Sequence, residues 1–482
     1  MAQRIAGLSE DWLAVAVGFV IFFLSVGTLI GLDLLGFAAA PKTWIELGKA
    51  VQPVSDAYAS LGAWGSLLIT FGFVLVLMLL AAMALGVDVG KFALRFTVIF
   101  WLSYLCWVLG NYAYIAATTP ADLEKFGIGW SLKLTGESGY LIALLLGLLI
   151  ANALPKLANW LKEAARPEFF IKTAIVVLGG TLGIKAAEQL GLASSVAFRG
   201  LAAIIEAYLI YWAVVYFVAR KWFGFSREWA APLASGISIC GVSAAIATAA
   251  AIRARPMVAV MVSSLVVVFA MVELLILPFL AATFLAQEPM VAAAWMGLAV
   301  KTDGAAVASG AITEALVYAD AAARGVVYDK GWMLGVTTTI KIFIDIFIGI
   351  WAFLLAFLWT RYIEPRQAGD KLVFGEIWER FPKFVLGFIA TFLIVFLVAL
   401  AGADYAKPLS AGMNEANVFR QLFFLFTFFT IGVLADLRQL WQEGIGRLAA
   451  VYVLCLFGFV IWVGLIISWI FFHGVQPPLA SG

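Results

Sequence analysis

Apolar residues are concentrated in long runs along this chain, and short stretches with charged residues, glycine or proline separate the runs. A helix that crosses a bilayer needs about 20 predominantly apolar residues. The pattern therefore predicts an all-α polytopic membrane protein with about 13 membrane segments. The predicted segments lie at residues 13–31, 62–86, 92–117, 139–153, 169–184, 200–219, 234–252, 257–286, 292–316, 333–359, 384–402, 421–435 and 449–472.

The composition excludes several other classes of protein. Hydrophobic residues make up 64% of the 482 residues and charged residues only 12%, whereas soluble domains carry about 25% charged residues. This rules out a soluble enzyme, a disordered chain and a nucleic-acid-binding domain, and it argues against an outer-membrane barrel of alternating strands. The single histidine, His473, and the three dispersed cysteines predict no catalytic residue, no metal site and no cofactor.

The distribution of lysine and arginine between the loops predicts the orientation of the chain. Cytoplasmic loops carry the excess of these residues, and a cytoplasmic N-terminus gives the larger number on that side, with five in the loop 360–383 alone. Glu10 and Asp11 precede the first run, which is unlike the basic start of a signal peptide. We therefore expect a multi-pass protein with a cytoplasmic N-terminus and a periplasmic C-terminus.

Two segments differ from the others because they are rich in glycine, serine and alanine. Residues 234–252 read ASGISICGVSAAIATAAAI, and residues 295–311 read WMGLAVKTDGAAVASGA. Small residues allow close helix packing, and they also allow a broken or re-entrant helix that lines a polar cavity. If both segments re-enter, they do so from opposite faces, as an inverted repeat requires, and Arg253 and Arg255 move to the cytoplasmic side.

A short internal similarity also points to an inverted repeat. Residues 175–191 (IVVLGGTLGIKAAEQLG) and 427–444 (TFFTIGVLADLRQLWQEG) align Gly180 with Gly432. The two segments are fifth and twelfth in order, so they run in opposite directions through the membrane. Repeats of this kind are typical of secondary transporters, although a match this short is also compatible with chance.

Six charged residues lie inside apolar runs, where a charge is costly and marks a candidate functional site. Two of them, Lys341 and Asp345, are spaced i, i+4, so they lie on one helix face and can pair. The pair is either structural or opened by a substrate or a proton. The six residues are Glu206, Glu273, Lys301, Asp303, Lys341 and Asp345.

The other four charged residues are not spaced so that they can pair on a regular helix. Lys301 and Asp303 cannot face each other on a regular helix, but both can reach a cavity if the chain is unwound before Gly304. Glu273 either carries a proton or bonds to a neighbouring helix. Glu206 lies near the start of a predicted span, which favours a role in helix packing or at the membrane interface.

The first small-residue segment has the composition of an anion-binding loop. Glycines let backbone N–H groups turn toward a ligand, serines add hydroxyl donors, and the following alanine-rich helix offers its positively polarised N-terminus. The predicted substrate-binding residues are Ser235, Gly236, Ser238, Cys240, Gly241, Ser243, Lys301, Thr302, Asp303 and Gly304. The predicted charge and coupling residues are Lys341, Asp345 and Glu273.

The string SGISICGVSAAIA at residues 235–247 resembles the signature of the YeiH-type proteins, a family of bacterial membrane proteins proposed to export sulfate. An alanine- and arginine-rich turn and a long apolar run follow it, as in the family. The resemblance covers about residues 92–473. Weaker similarities occur at residues 141–152, at residues 176–184, in the run that contains Lys341, and at residues 430–440.

The resemblance implies a secondary transporter of the bacterial inner membrane with an inverted-repeat fold akin to cation:proton antiporters. Residues 1–90, with two predicted spans, then form an N-terminal extension. Residues 91–482 form the transporter core, with repeat elements near 169–252 and 421–472.

One stretch departs from the family pattern. The family carries a Gly-Thr-Ser-x-His-Asp-Thr-Ala-Gln-like motif where this chain has AVKTDGAAV at residues 299–307. Asp303 matches the aspartate, but Thr302 stands at the histidine position and Ala306 at the glutamine position. This difference allows a substrate or coupling ion that differs from that of typical members, although the added Lys301 favours an anion unless it pairs with Asp303.

The sequence thus predicts a transporter that exports sulfate or a related oxyanion or sulfonate, coupled to protons or sodium. The alternatives are a cation:proton antiporter that uses Asp303 and Asp345, and a membrane scaffold without transport activity. The expected partners are the anion, the lipid bilayer and the coupling ion, with no nucleic acid. The sequence leaves the oligomeric state open, a homo-oligomer included.

Overall fold

The structure, a computed structural model, describes residues 9–117, 120–132, 138–188, 190–252, 254–363, 383–435 and 446–480. The regular structure in these ranges is helical apart from one antiparallel sheet of two strands, β1 (Ala39–Pro41) and β2 (Val51–Pro53). Ala40 of β1 lies opposite Gln52 of β2. Helices follow from the apolar composition because, in a bilayer, backbone N–H and C=O groups must bond within the segment.

The helices of the described residues are numbered here in chain order. They are α1 (Glu10–Val26), α2 (Gly62–Ala84), α3 (Val89–Gly110), α4 (Ala113–Ala116), α5 (Pro120–Phe126), α6 (Ser138–Ala153), α7 (Pro155–Leu161), α8 (Pro167–Glu188), α9 (Leu190–Gly200), α10 (Ala202–Ile205), α11 (Trp212–Lys221), α12 (Arg227–Ser238), α13 (Val242–Ala251), α14 (Pro256–Phe284), α15 (Pro289–Ala299), α16 (Asp303–Ala323), α17 (Trp332–Ile346), α18 (Ile348–Leu358), α19 (Lys383–Leu400), α20 (Ala403–Leu434), α21 (Gly446–Cys455) and α22 (Ile461–Phe472). Short 3-10 helices cover Gly27–Ile30, Leu47–Lys49 and Asp56–Leu61, and π-helices cover Glu206–Tyr211, Trp359–Ile363 and Leu456–Val460.

The all-α polytopic fold is confirmed. Among the described residues, nine helical stretches are long and apolar enough to cross a membrane, and a tenth is added if α6 and α7, which meet at 117°, form one bent span. Each of the thirteen predicted segments contains helix in the structure. The predicted segments outside these ten are the two small-residue segments, which are broken, and the segment that contains α14.

The chain divides into two compact units. Unit 1 comprises the described parts of residues 1–194, 318–327 and 383–435, and unit 2 comprises those of residues 195–317, 328–382 and 436–482. In unit 1, α8 packs against α1, α19 and α20, and α20 also packs against α6. Most of each predicted repeat segment therefore lies in one of two helices, α8 and α20, that pack on each other. The first segment also includes the start of α9, and the end of the second lies outside the described residues.

The start of α1 is fixed to unit 1 by ion pairs. The Glu10 carboxylate lies 3.2 Å from Arg166, and the Asp11 carboxylate lies 2.8 Å from Lys172 on α8. Acidic side chains at this position also stabilise the helix, because its N-terminus carries the positive end of the helix dipole. Helix α1, which belongs to the predicted N-terminal extension, is therefore packed into unit 1.

Helix α20 begins well before residue 421, where the sequence predicted a span to start. Polar residues interrupt the apolar run at that point, but the structure buries two of them, Glu415 and Arg420, in unit 1. The Arg420 guanidinium bonds to the Asn417 side chain and lies 4.9 Å from the centre of the Phe424 ring. Apolarity alone therefore placed the helix start too late.

Glycines bring α6 and α20 into backbone contact in unit 1. A Cβ atom placed on Gly147 would lie 3.0 Å from Cα of Gly432 and would clash with the Phe429 carbonyl oxygen. Small residues at such crossings allow two helices to approach closely in a membrane. Gly432 is one of the glycines that the sequence similarity aligned, and its role here is helix packing.

Gly147→Ala is expected to lower the free energy of unfolding by about 1–3 kcal/mol, because an added methyl group overpacks a tight interface. Thermal unfolding of the purified protein in detergent measures the effect. Gly72→Ala on α2 is the matched control, since a Cβ there meets nothing within 4 Å. Equal unfolding temperatures for the two variants would contradict the prediction.

Candidate ion-binding site

The first small-residue segment is a broken helix in unit 2. Helix α12 ends at Ser238 and α13 begins at Val242. Between them, Ile239 leaves helical geometry (φ −103°, ψ −99°) and Gly241 adopts a left-handed conformation (φ 73°). Glycine takes this conformation without the steric penalty of a Cβ atom. The glycine therefore allows the interruption that the sequence predicted.

The second small-residue segment is broken in the same manner. Helix α15 ends at Ala299, Val300 is extended (φ −80°, ψ 126°), and α16 begins at Asp303. The Thr302 hydroxyl accepts a hydrogen bond of 3.2 Å from the Ala305 N–H group. Thr302 thus caps the N-terminus of α16, and the chain is unwound before Gly304 as predicted.

The two breaks lie against each other. A Cβ atom placed on Gly241 would lie 2.9 Å from Cγ2 of Thr302 and 3.5 Å from the carbonyl oxygen of Lys301. Every helix end leaves backbone N–H or C=O groups without a partner in the helix. Four helix ends therefore converge in this part of unit 2 and offer partial charges of both signs to ions.

One buried ammonium joins both breaks. Nζ of Lys341, on α17, donates hydrogen bonds to the carbonyl oxygens of Ile239 at 2.9 Å, Val300 at 3.3 Å and Lys301 at 2.9 Å. These carbonyls follow the C-terminal ends of α12 and α15, where the helix dipole favours a cation. Nζ also lies 4.0 Å from Oδ1 of Asp303.

A thiol and two carboxylates lie next to this ammonium. One ligand atom from each of Cys240, Asp303 and Asp345 lies within 4.8 Å of the other two, and all three residues are buried. We call these residues and Lys341 the crossing group. The single histidine and the dispersed cysteines predicted no metal site, but the structure brings one cysteine together with two aspartates, all side chains of metal-ligating type.

Lys301 has partners outside the crossing group. Its ammonium donates to the Leu298 carbonyl and lies 4.4 Å from the centre of the Tyr211 ring. Its backbone N–H donates to Oε2 of Glu273 at 3.0 Å. Lys301 and Asp303, which were predicted to reach one cavity, therefore have different neighbours.

Two of the predicted anion-binding residues of the first break, Ser235 and Gly236, are in contact with side chains of neighbouring segments. Oγ of Ser235 accepts hydrogen bonds from the Trp212 indole N–H at 2.9 Å and from the Thr248 hydroxyl at 2.6 Å, so this side chain ties α12 to its neighbours. A Cβ placed on Gly236 would meet Val262 and Val266 side chains at 3.2 and 3.1 Å, so this glycine serves close packing as well.

Ser238 differs from Ser235. Its side chain is fully buried, and its hydroxyl makes no hydrogen bond among the described residues. Gly304 lies buried in the first turn of α16. The side chain of Ser243 and all of Arg253 lie outside the described part of the structure.

Comparison with known proteins shows the family to which the chain belongs. A family model described as Conserved hypothetical protein 698 matches residues 126–451. A UPF0324 membrane protein of Nitrosomonas europaea is 40% identical over 476 residues, which cover 98% of this chain and 97% of the relative. The chain belongs to the UPF0324 family of membrane proteins. The resemblance drawn from the sequence is thereby confirmed.

Other relatives of this UPF0324 protein are more distant or shorter. A UPF0324 membrane protein of Rhodopirellula baltica is 29% identical over 87% of this chain and 68% of its own. An uncharacterized protein of Archaeoglobus fulgidus is 50% identical over 30% of this chain and 89% of its own. No solved structure matches. The UPF0324 names describe membrane proteins and state no substrate.

The π-helix Glu206–Tyr211 places further buried side chains at the site of this UPF0324 member. The Tyr208 hydroxyl donates to the Ile344 carbonyl at 2.6 Å, next to Asp345. The Tyr211 hydroxyl donates to the carbonyl of Val460, the last residue of another π-helix, at 2.8 Å. π-Helices are rare and often occur at functional sites. Neither tyrosine was predictable from the sequence, because only the charge of Glu206 interrupted the apolar pattern.

Gly241→Ala is expected to disrupt the contact of the two breaks, because the added methyl group meets both Val266 and Thr302 at less than 3 Å in a left-handed conformation that costs about 1–2 kcal/mol. Gly224→Ala is the matched control, since Gly224 has φ 66° but nothing within 4 Å of an added Cβ. Thermal unfolding of both variants measures the difference. A control that loses as much stability as Gly241→Ala would show that backbone strain alone is responsible.

Proposed function

We propose that this UPF0324 protein is a secondary active transporter that moves a small anion together with protons through the crossing group. The observation that carries the proposal is the contact of two helix breaks at a buried ammonium and two buried carboxylates. Discontinuous helices form the substrate and coupling-ion sites of many secondary transporters. Ionisable groups within membrane segments are costly and mark ion pathways or proton relays.

Donors for an anion are present beside the carboxylates. The first N–H groups of α13 have no partner in their helix and carry the positive end of its dipole. The Ser238 hydroxyl is buried and makes no described hydrogen bond. The substrate class proposed from these donors and from the family resemblance is sulfate or a related oxyanion or sulfonate.

Protons would control access of the anion to these donors. Asp303 and Asp345 repel an anion while they are ionised. A proton on one of them weakens the repulsion and turns that carboxylate into an O–H donor. Anion and proton therefore bind together and travel in the same direction, and the gradients across the membrane decide whether the net result is export.

A cation:proton antiporter is the second candidate, and the clustering of Cys240, Asp303 and Asp345 favours it. In that scheme the two carboxylates hold either a metal cation such as sodium or a proton, and Lys341 holds the two breaks in place. Cation and proton then compete for one site and move in opposite directions.

The cellular setting is part of the proposal. The family resemblance supports a bacterial inner-membrane location. The excess of lysine and arginine in alternate loops supports a cytoplasmic N-terminus and a periplasmic C-terminus. The partners we propose are the anion, the coupling ion and the lipid bilayer, and we propose transport in place of enzymatic chemistry.

Vesicles that contain the purified protein and a luminal pH dye distinguish the candidates. External sulfate is expected to acidify the lumen if the anion enters with protons. External sodium or potassium is expected to make the lumen alkaline if the protein is a cation:proton antiporter. A sulfate response equal to that of protein-free vesicles would reject sulfate transport with protons.

A further inference from the structure

A second buried charge cluster lies in unit 2. It contains Lys301, Glu206, Glu273 and Tyr211, which we call the Lys301 group, and none of these side chains is more than 1% exposed. Glu206 and Glu273 are the acidic neighbours of the Lys301 ammonium, which also lies against the Tyr211 ring. The position of Glu206 in the sequence predicts a role in helix packing or at the membrane interface.

The two groups have the same charge composition. Among the described residues, the crossing group has one ammonium (Lys341) with two carboxylates, and the Lys301 group also has one ammonium with two carboxylates. Burying a net charge away from water is unfavourable. If both Glu206 and Glu273 were ionised, the Lys301 group would carry one more negative charge than the Lys301 ammonium balances. One proton on either carboxylate makes this group neutral.

The hydrogen bonds indicate which carboxylate of the Lys301 group carries this proton. Oε2 of Glu273 accepts the backbone N–H of Lys301 at 3.0 Å, which favours the ionised form. Among the described residues, neither oxygen of Glu206 meets hydrogen-bond geometry, whereas Glu273 leaves only Oε1 without a partner, and the Tyr211 side chain lies close enough to Glu206 to interact with it. The Tyr211 hydroxyl donates to the Val460 carbonyl. Glu206 is therefore the carboxylate with the weaker stabilisation of its charge.

The elements around this group supply few other titratable side chains. The phenol of Tyr452, on α21, faces Glu273, and Lys341, on α17, lies within electrostatic reach of Lys301 and Glu273. On α22, Gly464 leaves room for the group, since a Cβ there would lie 2.8 Å from the Tyr211 hydroxyl and 3.5 Å from Oε1 of Glu206.

Residue 301 links the two groups through its main chain. Its carbonyl oxygen accepts the hydrogen bond from Lys341, and its N–H donates to Glu273. The unwound peptide between α15 and α16 is thus bonded on one side to the crossing group and on the other to the Lys301 group. A change of charge in one group therefore acts directly on the position of the other.

We propose that the Lys301 group is a second proton-binding site and that Glu206 is its proton-carrying carboxylate. The inference rests on the proposed transport of an anion with protons, and it adds the number of protons that accompany each anion. One proton from each group accompanies one divalent oxyanion, so the positive and negative charges cancel. Transport of sulfate is then electroneutral.

Glu206→Gln tests the inference because it removes the proton and keeps the group neutral, with Lys301 and Glu273 as the remaining charges. The ratio of protons to sulfate is expected to fall from two to one, so that sulfate uptake by vesicles carries a negative current that responds to an imposed membrane potential. Glu288→Gln, on a carboxylate that bonds to His473 at 2.9 Å outside the group, is the matched control and is expected to remain electroneutral.

A second measurement separates this inference from the proposed function. Infrared difference spectra between low and high pH detect the C=O stretch of a protonated carboxyl group in the purified protein, whether or not it transports. Loss of one such band in Glu206→Gln, but not in Glu288→Gln, supports the second proton site. An unchanged set of bands, or an unchanged proton ratio in a protein that does transport sulfate, overturns it.

Discussion

Replacing Lys341 with methionine is expected to lower the free energy of unfolding by about 3–5 kcal/mol, the range for removing one partner of a buried charged interaction. The reason is that one ammonium holds carbonyl oxygens from both helix breaks and lies 4.0 Å from Asp303. Methionine fills a similar volume but donates no hydrogen bond, so three carbonyls and a carboxylate lose their cation. Thermal or denaturant unfolding in detergent, followed by tryptophan fluorescence, measures the loss.

Thr338→Val supplies the comparison on the same helix. Thr338 is fully buried one turn before Lys341, and its hydroxyl bonds to the Leu334 carbonyl of its own helix at 2.7 Å. Its loss removes one local hydrogen bond, which contributes about 0.5–1.5 kcal/mol. If Lys341→Met were no more destabilising than Thr338→Val, the ammonium would not be what holds the two breaks together.

The structure also explains which parts of the fold were predictable from sequence. Long apolar runs sufficed for the helices because a bilayer demands them. The glycine-, serine- and alanine-rich composition of the two segments indicated where the helices break, although the unwound residues of the second break are Val300, Lys301 and Thr302. The starts of the helices were less predictable. Helix α20 begins at Ala403 because its polar residues, Glu415 and Arg420 among them, are buried against other parts of unit 1.

The apolar pattern also placed the start of the helix that contains Glu206 too late. The apolar pattern placed Glu206 near the start of a span at residue 200, but the helical stretch runs from Leu190 to Trp222 and puts it near the middle. Polar residues such as Ser194 and Arg199 hid the first turns of this stretch. A residue that looks interfacial in the sequence is therefore fully buried in the structure.

The partners of the charged residues could not be read from spacing. The i, i+4 rule found Lys341 and Asp345 on one face of α17, but the carbonyls that Lys341 binds come from two breaks distant in sequence. The contact of Cys240 with the aspartates likewise depends on tertiary packing. Sequence therefore identified the charged side chains, while the fold decided that they form two groups and not one.

Two groups of equal charge composition lead to a further expected result. The double variant Asp345→Asn/Glu206→Gln removes one dissociable proton from each group and leaves each neutral, with one ammonium and one carboxylate. Sulfate-driven acidification of the vesicle lumen is expected to fall to the level of protein-free vesicles. Exchange of labelled for unlabelled sulfate is expected to persist, because an asparagine side chain does not repel the anion as an ionised Asp345 does.

The single variants and an exposed control make this result specific. Asp345→Asn and Glu206→Gln are each expected to halve the protons moved per sulfate, while Asp320→Asn, whose carboxylate forms an exposed ion pair with Arg324 at 2.7 Å, keeps the full ratio. A double variant that still acidifies the lumen would mean that the protons travel by other residues. One that loses sulfate exchange as well would mean that Asp345 or Glu206 is needed to bind or move sulfate and not only to carry a proton.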